Sequence, residues 1–216
     1  MKLALFGAGG QVAQRIAREA LDRGYEVVGV ARSAKSVRSD NERMIIVEGD
    51  ATNADSVARV SKGADVIINA VSPRPSPSGR SASSLPAAAR ALIDGAKKAG
   101  VKRLIVVGGA GSLEVAPGKR LVDSPGFPPE YMAESLDSAA ALDVYRASAG
   151  DLDWTYISPG AEMGPGTRTG RYRTSDDTLL ADDKGRSFIS FEDYAKALVD
   201  EIEYPTHPRA RMAVAY

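Results

Sequence analysis

Apolar and polar positions follow two interleaved rhythms along the first 160 residues. Short apolar runs, "KLALF" (2–6), "EVVGVA" (26–31), "RMIIVEG" (43–49), "DVIINAV" (65–71), "RLIVVGG" (103–109) and "DWTYIS" (153–158), read as strands. Between them lie segments with helical spacing: "QVAQRIAREALDRG", "NADSVARVSKG", "LPAAARALIDGAKKAG" and residues 128–149. Gly24 stands just past the first helix, where a left-handed residue is wanted, and Asn53 is the candidate cap of the second. Strands that are apolar on both faces need cover on both, which is the condition of a parallel sheet between helix layers. The predicted class is therefore α/β, a doubly wound parallel sheet (Rossmann-like), with residues 1–216 forming one domain.

After Pro159 the rhythm breaks. "GPGTRTGRYRTSDDTLLADDKGRSFI" is polar and turn-rich, and "DDKG" reads as a hairpin tip. "SFEDYAKALVDEIEYP" opens a helix at Ser190, with Asp193 three residues on in the manner of a capping box. "RMAVAY" closes the chain as a strand. Residues 159–216 are expected to form a small C-terminal lobe on the sheet, serving the substrate. "SPRPSPSGRSASS" (72–84) is a polar, proline-rich loop.

Composition narrows the chemistry. Lys plus Arg and Asp plus Glu number 28 each, so no bulk charge favours nucleic acid or an anionic membrane. With no cysteine, disulfides, thiolate nucleophiles and zinc sites of cysteine type are excluded. The single histidine, His207, reads as an exposed loop residue, and no metal site is expected. Asp176–Asp177 and Asp182–Asp183 are adjacent carboxylates, but neighbours on a strand diverge and the second pair fits a turn. No apolar stretch approaches the roughly 20 residues of a membrane span. The apolar run before Gly7 is short for a signal peptide, and the expected compartment is cytoplasmic.

The first βα turn, "LFGAGGQVAQ" (5–14), carries the first candidate chemistry. Its spacing is Gly7-x-x-Gly10-x-x-Ala13 with Gly9 between, one residue longer in the first gap than GxGxxG. Such glycines let the backbone approach a pyrophosphate, whose charge meets the helix N-terminus. Gly7, Ala8, Gly9, Gly10, Gln11 and Val12 are accordingly assigned to a dinucleotide. The second strand ends in Arg32 and Ser33, where NAD sites commonly place a carboxylate for the ribose. A guanidinium suits a 2′-phosphate, so NADP(H) is favoured over NAD(H).

"GAGGQVA", "EGDAT", "NAVSP" and "VVGGAGSL" resemble the short-chain dehydrogenase/reductase superfamily. More narrowly, the chain is similar to its atypical branch of NmrA-like and flavin-reductase-like, biliverdin reductase B-like proteins. "LDWTYISPGAEMGPGTRTGRYR" is similar to a phrase of bacterial NADH-flavin reductases and epimerase/dehydratase-like proteins. The resemblance implies that Asp50 accepts from the adenine amino group beside Ala51. It implies that Ala70 and Val71 line the adenine ribose, and that Ser158, Pro159 and Gly160 lie near the nicotinamide. Ser112 falls where the superfamily keeps its catalytic serine, and Tyr131 is a second candidate for lining the pocket or relaying a proton. The superfamily's Tyr-x-x-x-Lys pair, in which lysine lowers the tyrosine pKa, is absent. Tyr131 is followed at that spacing by Ser135 and Tyr145 by Ala149, and no other tyrosine meets a lysine.

Reducing a simple ketone leaves a basic alkoxide and calls for an acid. A flavin or quinone spreads the incoming charge over its ring and mainly needs to be stacked correctly. The expectation is an NADPH-dependent reductase of a planar flavin-like or quinone-like acceptor, with Arg74 and Arg80 available to an anionic substrate group. Two alternatives stay open. One is a non-catalytic NADP(H)-sensing regulatory protein; the other is an NAD-dependent epimerase/dehydratase-like enzyme, for which the segment after Pro159 is short.

Overall fold

The computed structural model describes residues 1–39, 41–72 and 85–216; Arg74 and Arg80 lie outside the described residues. Among the described residues twelve strands occur in chain order: β1 (Lys2–Phe6), β2 (Glu26–Ala31), β3 (Met44–Glu48), β4 (Val66–Asn69), β5 (Arg103–Val107), β6 (Glu114–Ala116), β7 (Lys119–Arg120), β8 (Asp153–Pro159), β9 (Glu162–Gly164), β10 (Arg173–Ser175), β11 (Phe188–Ser190) and β12 (Ala210–Ala215). The helices are α1 (Gln11–Asp22), α2 (Ala54–Val60), α3 (Leu85–Ala99), α4 (Pro129–Ser148) and α5 (Phe191–Glu203).

Eight strands form the main sheet in the order β10-β12-β8-β5-β4-β1-β2-β3. All pair in parallel except β10, which runs antiparallel to β12. The winding reverses between β1 and β4. In open α/β sheets the crevice at such a reversal, outside the carboxyl ends of the strands, is where ligands bind.

Both faces of the sheet are covered, as the doubly apolar strands require. Ala13, Ile16, Ala17, Ala20 and Leu21 form the buried stripe of α1, which shares one core with Ala195, Leu198, Val199 and Ile202 of α5. On the other face α3 and α4 bury Leu92, Ile93, Leu142 and Tyr145 against Phe6, Ile67 and Leu104. The expected caps are present. Gly24 adopts φ +87°, and the Tyr25 and Gly24 amides donate to the carbonyls of Ala20 and Leu21, both at 3.0 Å. The Asn53 side chain accepts from the Ser56 amide at 2.9 Å.

The segment after Pro159 is woven into the sheet rather than set apart. β10 and β12 extend the sheet, α5 covers one face, and β9 pairs with β11. Arg23, at the C-cap of α1, bridges to Asp200 and Glu203 of α5, each at 2.8 Å, and Arg168 reaches Glu19 at 2.7 Å.

Three local expectations change. Residues 182–185 do turn, but no hairpin flanks them, because β10 pairs with β12 and β11 with β9. The Asp182 carboxylate accepts from the amides of Lys184 at 2.9 Å and Arg186 at 2.8 Å, and the Asp182 amide closes the turn on the Arg186 carbonyl at 2.9 Å. The capping box at Ser190 is half made: Ser190 Oγ accepts from the Asp193 amide at 3.0 Å, while the Asp193 carboxylate turns to Thr169 and Gly170. His207 is not an exposed loop residue, its side chain being only 15% exposed. The buried Glu201 carboxylate needs donors, and it draws in the His207 amide at 2.9 Å together with Thr206 and Arg103.

Candidate functional site

The loop after β1 is shaped by what crowds it. Gly7 has φ +80°, and a Cβ there would lie 2.5 Å from the Ala70 carbonyl oxygen. The amides of Gly7 and Ala8 both donate to the Val30 carbonyl, at 3.0 and 3.2 Å, and Gly10 donates to Gly7 at 2.9 Å. These bonds fold the loop so that α1 begins at Gln11, with Gly10 as its side-chain-free cap. The amides of a first helical turn, here Gln11 and Val12, have no preceding turn to bond. They present partial positive charge at the head of the β1–β4 crevice, with Gly9 exposed beside them. A Cβ on Gly9 would touch Val37 at 3.4 Å, so the stretch after β2 borders the same loop.

At the carboxyl ends of β2 and β3, Arg32 is exposed just past β2 and attracts Asp50, just past β3. Asp50 accepts from the Thr52 hydroxyl at 2.7 Å and the Thr52 amide at 2.8 Å. Those bonds, with the pull of Arg32, hold its carboxyl below the usual aspartate range. Asp50 thus makes a local turn before α2 while the helix cap is Asn53; Ala51 behind it is buried. Ser33 follows Arg32 at the exposed rim. Ala70 and Val71 continue from β4, and the Val71 amide is fixed by the Asn69 side chain at 3.1 Å.

At the other end of the crevice β8 delivers Ser158, Pro159 and Gly160, all buried. Ser158 Oγ has no hydrogen-bond partner among the described residues, although the residue is fully buried. A buried hydroxyl without a partner is costly, and Ser61 Oγ is in the same state. Gly160 lies against β11, where a Cβ would meet the Phe188 amide at 3.0 Å.

The loop after β5 is held by a residue that sequence reasoning did not single out. Tyr156 of β8 is fully buried, its ring fills the space a Cβ on Gly108 would need, and its hydroxyl accepts from the Gly109 amide at 3.3 Å. The same hydroxyl donates to the Ser138 carbonyl at 2.9 Å. Burial pushes the Tyr156 hydroxyl above its ordinary value, so it orders the loop as a neutral group. Gly111 packs equally closely on Ser135 of α4, with a Cβ placed 2.6 Å from that side chain's Cβ. Tyr131 lies one turn before Ser135 and is 56% exposed.

Ser112 projects to the flank of α4. Its Oγ accepts from Arg211 Nη1 at 2.9 Å, beside a cavity of about 230 Å³ bounded by Leu142, Arg146 and Asp177. Arg211 belongs to β12, and its side chain is only 4% exposed. A cation inside an otherwise apolar strand was the visible signal; its partner 99 residues away was not.

The strand tops thus bring together the glycine-shaped loop with the first-turn amides of α1, the exposed Arg32 beside Asp50, and the Ser158 and Ser112 hydroxyls. Among the described residues no cluster of His, Cys, Asp and Glu is arranged to hold a metal ion.

Known proteins match this chain over nearly its whole length. A family model described as NAD(P)H-binding matches residues 7–205. The protein YwnB of Bacillus subtilis (strain 168) is 37% identical over 99% of this chain and 98% of its own length. Among solved structures, a Burkholderia pseudomallei protein described as a "putative exported protein" is 45% identical, with TM-score 0.89 and full coverage of both chains. A "putative epimerase" from Bacteroides thetaiotaomicron is 39% identical, with TM-score 0.91, covering 100% of this chain and 96% of the other. A "putative NADH-flavin reductase" from Streptococcus pneumoniae TIGR4 is 32% identical, with TM-score 0.82, covering 100% and 99%. No helix among the described residues is long and apolar enough to cross a membrane.

Proposed function

From the premise that this chain belongs to the NAD(P)H-binding family, we propose that it is an NADPH-dependent reductase of planar flavin-like or quinone-like acceptors. The observation that carries the reading is the environment of Tyr131. It stands exposed at the start of α4 with Ser135, not a cation, one turn on and packed against Gly111. An alcohol-forming reduction needs a tuned acid at the acceptor, and this helix offers no lysine to tune one. An acceptor that delocalises charge needs stacking and a few hydrogen bonds instead.

The residues present fit the cofactor. Gly7, Ala8, Gly9 and Gly10 shape the turn, and the amides of Gln11 and Val12 face the diphosphate. Arg32 and Ser33 take the 2′-phosphate, Asp50 and Ala51 the adenine, and Ala70 and Val71 the adjoining ribose. Ser158, Pro159 and Gly160 would lie near the nicotinamide. The cofactor when bound supplies hydride. Ser112 donates a hydrogen bond on the acceptor side, and Tyr131 closes the pocket or passes a proton through water.

Steady-state NADPH oxidation with FMN, riboflavin and menadione tests the proposal. Turnover with at least one is expected. Tight NADPH binding without turnover of any of them would overturn it in favour of a sensor.

A further inference from the structure

We propose that Arg211 is a positioning residue for the acceptor-side chemistry: its buried guanidinium makes the Ser112 hydroxyl an obligate donor into the adjoining cavity. The inference rests on the reading that Ser112 serves the acceptor.

Arginine carries N–H donors and no acceptor. In the 2.9 Å contact from Arg211 Nη1, Ser112 Oγ can therefore only accept. A serine hydroxyl has one hydrogen, and that hydrogen must point away from the guanidinium. Left alone, the hydroxyl would rotate among partners; Arg211 removes that freedom.

Arg211 is itself held. Burying a guanidinium in a strand whose other members are apolar is costly unless it is paired. Its Nη2 donates to the Asp177 carboxylate, which also accepts from Arg146 at 3.0 Å. Asp177 is fixed through its backbone, its carbonyl accepting from the Glu114 amide at 2.8 Å. Two guanidinium groups share one carboxylate beside Ser112. Glu114, Arg120 and Asp143 also bound the cavity, and Arg120 is engaged by Asp123 at 2.7 Å. Asp177 satisfies Nη2, Ser112 is the partner of Nη1, and Nε has none among the described residues; the bond to Ser112 has a direction.

The test uses the full chain with NADPH and menadione. Arg211→Gln removes the charge and offers a carbonyl to which Ser112 can donate, so kcat should fall about tenfold while the NADPH Kd is unchanged. Arg211→Lys, again donor-only, should keep about half of the turnover. In a Ser112→Ala background, Arg211→Gln should cost less than about twofold more, because both act through one hydrogen bond. Asp177→Asn, at a half-exposed position, guards against misfolding of the glutamine variant. It slackens Arg211 and should lower kcat about threefold in the wild type and not in Ser112→Ala. Additive losses in the double variants, or Arg211→Gln turnover equal to wild type, would overturn this inference alone. Wild-type turnover unaffected by Ser112→Ala would overturn it together with the role of Ser112. Absence of menadione turnover in the wild type would overturn both proposals.

Discussion

Gly7 and the carbonyl oxygen of Ala70 approach so closely that a Cβ on residue 7 would lie 2.5 Å from that oxygen. The loop after β1 and the loop after β4 therefore meet with no side chain between them, at the reversal of the sheet where a dinucleotide would cross. Gly7→Ala adds this clash to the strain of φ +80°. It should lower stability by about 2 kcal/mol or more and weaken NADPH binding at least about tenfold. Thermal unfolding and a fluorescence titration measure the two.

On the proposed reading, Arg32 is the residue that distinguishes NADPH from NADH. Arg32→Ala should weaken NADPH about tenfold to a hundredfold, the worth of charge-assisted hydrogen bonds to a phosphate. NADH binding should be almost unmoved. Equal losses for the two coenzymes, read by calorimetry, would show that Arg32 does not grip the extra phosphate.

Tyr156→Phe should uncouple the loop after β5 from the sheet. The variant leaves the Gly109 amide and the Ser138 hydroxyl, 2.7 Å from the phenol, without that partner. A loss of about 1–3 kcal/mol is expected. Since burial pushes the phenol above its ordinary value, it stays neutral throughout the assay range. The pH profile of turnover should keep its shape, and a shifted limb would reveal Tyr156 as an acid.

Acid should loosen the C-terminal segment first. Burial raises the Asp193 pKa, but donors outweigh it: the Thr169 hydroxyl at 2.6 Å, the Tyr216 hydroxyl at 2.7 Å and the Gly170 amide at 2.8 Å. Glu201 is likewise lowered, burial being outweighed by Thr206, the His207 amide and Arg103. A carboxyl lowered on folding contributes stability above its unfolded pKa and loses it as pH falls through the folded one. Stability should thus be level from neutrality to about pH 5 and fall below about pH 4. Asp193→Asn should flatten part of that fall in chemical denaturation, and an unchanged slope would place the acid sensitivity elsewhere.

Local pattern was enough for the strand and helix rhythm, the turn at Gly7, the left-handed Gly24 and the caps at Asn53 and Ser190. Each depends on neighbours within a few residues, where backbone sterics and spacing decide the outcome. The missing lysine beside Tyr131 was equally readable, since it is a matter of spacing on one helix. Tertiary structure alone decided that Ser112 meets Arg211, that Tyr156 holds the Gly109 amide, and that Asp193 leaves its capping box for Thr169. It also drew His207 inward to Glu201. These pairs join segments far apart in the chain, and which atoms meet is set by strand register and helix packing, which no local run of residues specifies.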